Sequence, residues 1–360
     1  MRNIWFILSL LLVNGLFAKE DFAFSEEKVI QNSFAANASF ELEISNKHGD
    51  VVFETWDKDS VKIVVSIHVQ SDKLERVADL IDIIDVRFSN LTQFISATTE
   101  WGSTSSGFKM NVMKLLSSQS ISVDYKVMLP DGMEVSVENK FGDVVFENFS
   151  GELKVDLIHG KLFGNKLGEL KLLKLNYGHA TIKELDEADV VSKFSEISIG
   201  EINELNLDIT SGEIEIEKVQ DLNIVATGAQ IEVENAGDVK LKGSFSEFEI
   251  ENLGGTLDGE LKFGALEVDK IATSFMGVDV KGSSTDIDLS FDQQIAFHYF
   301  VQMEKGKSFR IPSEGNTLDK QNEFGEIKDY EGLFATIPVA GKPANVSIRV
   351  KNSYVRFDID

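Results

Sequence analysis

The stretch NKFGDVVFENF, residues 139–149, decides the fold: a turn built around a glycine leads into alternating apolar and polar positions. Related segments are NKHGDVVFETW from Asn46, LNYGHATIKEL from Leu175, ITSGEIEIEKV from Ile209 and GSFSEFEIENL from Gly243. The turns recur every 17 or 18 positions, and a fixed period of this size is typical of stacked coils. The small turn residues are Gly142, Gly160, Gly178, Ser195, Gly212, Ala229, Ser246 and Gly264.

Each repeat predicts two short strands, because apolar residues alternate on both sides of the turn. Parallel pairing of successive repeats would bury every second residue, and each repeat would contact only its neighbours. No proline lies within residues 134–291, which fits continuous strands since proline has no N–H to donate. The chain is therefore expected to be mainly β, with a parallel β-solenoid of 17–18-residue coils over residues 134–291. The inward residues of one coil are Leu205, Leu207, Ile209, Ile214, Ile216 and Val219.

The two ends of the chain depart from this repeat. Residues 19–133 contain further alternating strands and one segment, residues 72–84, with apolar residues at helical spacing. They predict a small α+β module with a single helix, joined to the first coil. Residues 98–120 are rich in serine and glycine and predict a mobile excursion from a hairpin. Residues 292–360 predict an irregular cap that contains a loop-like stretch and ends in a terminal pair of strands.

The N-terminal segment, positions 1–18, has the layout of a secretory signal peptide, with Arg2, an apolar run from Ile4 to Val13 and a small residue at Ala18. The run is shorter than the ~20 apolar residues that span a bilayer. The sequence contains no cysteine, which excludes disulfides and a lipid-modified N-terminal cysteine. We expect an exported protein of the periplasm or the cell surface, without stable membrane insertion.

The formal net charge of −25 narrows the range of partners. Nucleic acids and anionic membranes are recognised by basic surfaces, so the composition argues against both. The remaining candidates are a protein or a glycan of the envelope or the cell surface. The sequence does not determine the oligomeric state.

Alignment of the repeats places eight acidic residues in two outward columns. Neighbouring strands lie ~4.8 Å apart, so like charges oppose one another, an arrangement that normally destabilises a sheet. The functional interpretation is a site for a divalent cation such as Ca²⁺, or for a basic partner surface. The alternative is a solvated face with raised pKa values, and no other cofactor is indicated. This acidic strip comprises Glu215, Glu232, Glu249 and Glu267, and beside them Glu217, Glu234, Glu251 and Asp269.

A second column consists of ring-bearing residues just before the turns. Exposed rings could grip the faces of sugars. However, alternation from Leu157 and Leu175 assigns these positions to the inside, so the sequence predicts that the rings form part of the core. The residues are Phe141, His159, Tyr177, Phe194, Phe245 and Phe263.

No motif for catalysis accompanies the repeat. The five histidines are scattered, without the spacing of a metal site. The chain also lacks GxSxG, a Ser/Lys signature and a glycine-rich phosphate loop. We therefore expect a non-enzymatic protein. The alternative is a carbohydrate-active β-helix enzyme with its site near the segment from Asp292 to Asp329.

Two long stretches resemble the bacterial adhesin-like domain family of exported envelope proteins, in particular members from the Bacteroidetes-type envelope. They are SNKHGDVVFETWDKDSVKIVVSIHV from Ser45 and ENKFGDVVFENFSGELKVDLIHG from Glu138, together with the repeats down to Lys270. The resemblance implies a right-handed parallel β-solenoid and an exported location. It transfers no catalytic or binding residue, because the family has no established site. Adhesion and a periplasmic role as a scaffold or sensor accessory are both compatible with it.

Overall fold

The computed structural model describes residues 22–102, 119–338 and 342–359. The expected signal peptide, residues 1–18, and most of the expected excursion at residues 98–120 lie outside the described residues. Within these ranges the chain is mainly β, with 20 strands and one α-helix. All the strands belong to one mixed sheet that is not closed into a barrel.

The N-terminal part combines antiparallel and parallel pairing. In one branch β1 pairs with β4 and β4 with β7, and in a second branch β5 pairs with β6, all antiparallel. The helix α1 confirms the helical pattern, and it buries Val77, Leu80 and Ile81. The helix is shorter than the apolar pattern over residues 72–84, and Leu74 at its start is exposed. The elements are β1 (Phe24–Ala35), β2 (Glu41–Lys47), β3 (Val51–Thr55), β4 (Ser60–Ser71), α1 (Leu74–Ile83), β5 (Ile84–Leu91), β6 (Phe94–Trp101) and β7 (Gln119–Leu129).

The two NKxGD stretches lie side by side, although they are far apart in the chain. Asn46 pairs with Asn139 in parallel register, and the buried rings of Phe53 and Phe146 stack at 4.3 Å. The motif aspartate joins the two turns, because a carboxylate oxygen of Asp50 accepts the backbone N–H of Asp143 at 2.8 Å. The shared sequence thus encodes a repeated backbone connection rather than a reactive site.

The central strands pair in parallel, each with the strand one repeat further along the chain. Lys161 pairs with His179, Gln230 with Glu247, and Glu247 with Ala265. The six residues assigned to the inside between Leu205 and Val219 are all buried, as the alternation predicts. The strands are β8 (Glu134–Lys140), β9 (Val144–Ile158), β10 (Lys161–Asn176), β11 (His179–Ser244), β12 (Glu247–Leu253), β13 (Thr256–Ile271) and β14 (Gly277–Phe291).

The C-terminal segment is more regular than the sequence pattern suggests. The stretch expected to be loop-like forms an antiparallel hairpin of β17 and β18, which turns at Gly325. The expected terminal strand pair is confirmed as β19 and β20, and both strands pair with β14 in parallel. The strands are β15 (Ala296–Glu304), β16 (Ser308–Arg310), β17 (Asn316–Phe324), β18 (Ile327–Ala335), β19 (Ala344–Lys351) and β20 (Tyr354–Ile359).

One contiguous hydrophobic core runs through these elements, from Ala36 to Phe357. Because the inward side chains of each repeat pack on those of the next, the outward positions and the turns are left for contact with other molecules.

Candidate binding surface

The residue before each turn residue adopts a left-handed backbone conformation. The φ angles are 61° at Phe141, 54° at Tyr177 and 52° at Phe194, a region that non-glycine residues seldom occupy. We call these left-handed positions the corners. Backbone hydrogen bonds join corners to the next repeat: the N–H of Phe141 donates to the carbonyl of Ile158 at 2.9 Å, and that of Tyr177 to the carbonyl of Lys193 at 3.0 Å. The corner conformation is therefore built into the parallel pairing.

This conformation turns the rings outward, so the prediction that they form part of the core was wrong. Alternation between the two faces of a strand holds only while the backbone stays extended, and a left-handed residue ends it. Three other corners carry Ser211, Gly228 and Ser284 in place of a ring, so the conformation does not depend on a ring. The exposed fractions are 45% for Phe141, 56% for Tyr177, 53% for Phe194, 66% for Phe245 and 51% for Phe263.

The outward rings stack in two groups along the corner. The five-ring stack has centroid separations of 5.1–5.2 Å and interplanar angles of 8–20°. The two-ring stack has a separation of 4.9 Å and an angle of 11°. A two-repeat gap, formed by Ser211 and Gly228, separates them. The five-ring stack consists of His48, Phe141, His159, Tyr177 and Phe194, and the two-ring stack of Phe245 and Phe263.

One end of the five-ring stack is covered and the other is open. Trp101 packs edge-on against His48 at 5.6 Å, and burial, with Lys47 nearby, lowers the pKa of His48. At the other end, no ring among the described residues follows Phe194. A ligand thus meets a row of ring edges along the corner and ring faces at the two-repeat gap. Phe263 likewise has a stacked ring on one side only, because the next corner carries Ser284.

The structure places six members of the acidic strip around one small depression of about 180 Å³. Pairing continues along one column from Glu232 to Glu249 and Glu267. Desolvation, followed by the negative charges of Asp269 and its neighbours, raises the pKa of Glu249. Within the described ranges, no three His, Cys, Asp or Glu side chains are placed so that together they could hold a metal ion. The six are Glu215, Glu217, Glu232, Glu234, Glu249 and Glu251.

Removing one charge from the acidic strip is expected to stabilise the protein. A carboxyl group whose pKa is raised on folding favours the folded state at low pH, and this contribution is lost as the pH rises through the folded-state pKa. We therefore expect Glu249→Gln to raise the melting temperature at pH 7.5 in low salt, with a smaller gain as the pH approaches the usual value of 4.5. Calorimetric melting curves at several pH values measure this difference.

Glu247→Gln is the matched control. Glu247 is exposed on the same strand, but its two register neighbours, Gln230 and Ala265, are uncharged. This variant should melt within error of the parent at every pH. Equal melting temperatures for both variants at pH 7.5 would show that opposed charges do not destabilise the strip.

The alternative hypothesis, a carbohydrate-active enzyme, places its site near the segment from Asp292 to Asp329. The carboxylates at the two ends of this segment are engaged in local contacts. Asp292 accepts the backbone N–H of Gln294 at 3.1 Å, which, together with Lys270, lowers the pKa of its carboxyl. Asp329 accepts the side-chain amide of Gln302 at 3.0 Å. Both contacts support the strands beside them, and neither brings the two carboxylates together.

The described helix is too short and too polar to cross a membrane. No protein-family model matches the chain, and no curated protein matches it.

Solved structures that are similar to this chain at low sequence identity include the following three. A "putative cell adhesion protein" from Clostridium sporogenes is 9% identical, covering 94% of this chain and 100% of its own, with a TM-score of 0.19. A "putative lipid binding protein" from Parabacteroides distasonis is 14% identical, covering 75% of this chain and 90% of its own, with a TM-score of 0.28. A "putative adhesin" from Bacteroides fragilis is 9% identical, covering 92% of this chain and 97% of its own, with a TM-score of 0.20.

Proposed function

We propose that the chain is a non-enzymatic, exported binding protein of the cell envelope, acting as an adhesin or as a periplasmic scaffold or sensor accessory. It would present an extended surface to a protein or a glycan. Parallel pairing between successive repeats supports a parallel β-solenoid over residues 134–291, and its right hand is what the family resemblance implies. Residues 19–133 and 292–360 would close its two ends.

The outward stacking of rings at strained corners is the observation that carries this proposal. A left-handed conformation costs a non-glycine residue roughly 1–2 kcal/mol, whereas a stacked pair of aromatic rings contributes about 0.5–1.5 kcal/mol. The two magnitudes are comparable, so stacking roughly cancels the strain and leaves little net stabilisation. Because Ser211, Gly228 and Ser284 occupy the same corner, folding does not require rings there. A contact made by the rings explains their presence better than stability does.

The five-ring stack is suited to such a contact. Four strand spacings between its first and last rings give it a length of roughly 20 Å, and its edges form a continuous aromatic row in which three of the five rings are apolar. Exposed apolar patches of this kind mark interaction sites. The stacked rings are already held by their neighbours, so little side-chain freedom would be lost on binding.

Replacement of two stacked rings by serine tests the proposed surface. Serine is the natural residue at two equivalent corners, so Phe141→Ser combined with Tyr177→Ser should fold. We expect this double variant to bind an isolated bacterial envelope fraction about tenfold more weakly than the parent, since two apolar contacts are lost. Phe324→Ser is the control, because Phe324 is an exposed ring outside the stack.

Binding that survives the double variant unchanged would overturn the proposed surface. Turnover is measured in parallel, as the release of reducing ends or unsaturated products from a panel of acidic polysaccharides. Any release by the parent chain would overturn the non-enzymatic part of the proposal.

A further inference from the structure

The two-repeat gap is a recess between two open ring faces. Phe194 and Phe245 each have a stacked neighbour on one side only, and Phe245 is the most exposed ring of the column. Three strand spacings separate the two rings, which is roughly 14 Å. Ser211 and Gly228 form the floor of this recess, so a ring-shaped group can approach either face without meeting a bulky side chain.

A groove of about 470 Å³ adjoins the gap on the strands that precede the corners. It begins at Val225 and Thr227, directly before Gly228, and extends across four further repeats. Its lining includes four basic side chains and one acidic side chain, Glu260. We call it the basic groove; the four basic residues are Lys242, Lys262, Lys281 and Arg349.

Two of these charges form no ion pair among the residues that the structure describes. Lys281 lies 3.9 Å from Glu260, and Arg349 lies 3.1 Å from Asp279. In the described part of the chain, no carboxylate lies within 4.0 Å of the ammonium group of Lys242 or Lys262. In the parallel register Glu260 lies opposite both Lys242 and Lys281, whereas the register neighbours of Lys262 are Ser244 and Ser283. The groove therefore carries more positive than negative charge beside an open ring face, in a chain of net charge −25.

This combination has the chemistry that recognises an acidic sugar. The apolar C–H face of a pyranose packs on an aromatic ring, the hydroxyls of Thr227 and Ser244 can hydrogen-bond to sugar hydroxyls, and a lysine pairs with a carboxylate or sulfate. Surface charges act within a Debye length of about 8 Å at physiological salt. The net negative charge of the whole chain therefore does not prevent local attraction in the groove.

We propose that the two-repeat gap and the basic groove together bind a segment of an anionic polysaccharide. One sugar ring would pack against the face of Phe245, and the acidic groups of the neighbouring sugars would pair with Lys242 and Lys262. This assignment rests on the proposed binding function and names its ligand class. A nucleic acid is a poorer fit, because its affinity comes from many phosphate contacts, and the groove offers few.

Calorimetric titration of the full chain with polygalacturonate, alginate and heparin, and with neutral dextran, tests this proposal. We expect the parent to bind at least one of the anionic polymers and not dextran, with an affinity that falls as sodium chloride is added. Lys242→Gln combined with Lys262→Gln should weaken that binding by about tenfold. Phe245→Ser should also weaken it by about tenfold. The controls are Lys183→Gln, which removes an exposed lysine elsewhere, and Phe324→Ser.

Two outcomes would overturn the groove as the ligand site: dextran binding as tightly as the anionic polymers, or unchanged affinity in the lysine double variant. Neither outcome affects the proposed function if the Phe141→Ser, Tyr177→Ser variant still loses envelope binding. Conversely, the site is supported if the lysine double variant and Phe245→Ser lose polysaccharide binding while the control variants keep it. Normal melting curves of the two groove variants would exclude a folding defect. Binding of none of the three anionic polymers would also overturn the proposal.

Discussion

Replacement of Phe297 by alanine is expected to lower the free energy of unfolding by about 3–5 kcal/mol, the usual cost of removing a fully buried ring. Phe297 is completely buried and contacts four other rings. It stacks on Phe291 at 4.2 Å and on Phe334 at 5.4 Å, and it meets Phe275 and Phe357 edge-on. These contacts join β14, β15, β18 and β20, so the cavity would lie where the C-terminal strands cover the last repeat.

Urea unfolding followed by circular dichroism measures this loss. Phe324→Ala is the matched control in the same part of the chain, because Phe324 is 67% exposed and its replacement should change stability by less than about 0.5 kcal/mol. Similar unfolding midpoints for the two variants would mean that the ring cluster does not hold the C-terminal strands on the repeats.

Alternation in the sequence was sufficient to identify the buried side of the repeats. Positions such as Leu205 and Ile216 are buried as predicted, because hydrophobic burial dictates which face of an extended strand turns inward. The helix was found for the same reason, since Val77 and Ile81 follow helical spacing and both are buried.

The corners could not be derived from alternation, because it contains no information about the sign of φ. A different signal was present in the sequence. Glycine, serine and asparagine replace the rings at Gly228, Ser284 and Asn352, and all three residues have positive φ. Glycine and asparagine are the types that most readily adopt this conformation. Comparison of the repeats at this position could therefore have indicated an outward corner.

The basic groove was also beyond the sequence analysis. Lys242, Lys281 and Arg349 are far apart in the chain, and several strands lie between the last two. They become neighbours because β14 pairs with β19 and places Lys281 opposite Arg349. The hairpin of β17 and β18 lies between these two strands in the sequence, so the 17–18-residue period does not predict their pairing.

The NKFGD motif that identifies the repeat also contains its tightest point. A Cβ atom at Gly142 would fall on the carbonyl oxygen of Gly49 in the adjacent turn. That carbonyl cannot move freely, because the side-chain amides of Asn46 and Asn139 donate to it at 3.2 and 3.0 Å. Among the equivalent turn positions, Ser195 and the buried Ala229 do carry a Cβ. The adjacent carbonyls there, of Gly178 and Gly212, accept no asparagine side chain within the described ranges, whereas the carbonyl of Gly49 accepts two.

Gly142→Ala is therefore expected to lower the free energy of unfolding by about 2–3 kcal/mol, toward the upper end of the usual cost of overpacking. The strain arises at the contact between the two NKxGD turns, so the variant should unfold at a lower urea concentration. Gly254→Ala is the matched control, because a Cβ there would lie 3.6 Å from the carbonyl oxygen of Ala236, an ordinary contact. If Gly142→Ala were as stable as Gly254→Ala, the glycine of the motif would be required by something other than the close approach of adjacent turns, and the recurrence of small residues at the turns would need a different physical origin.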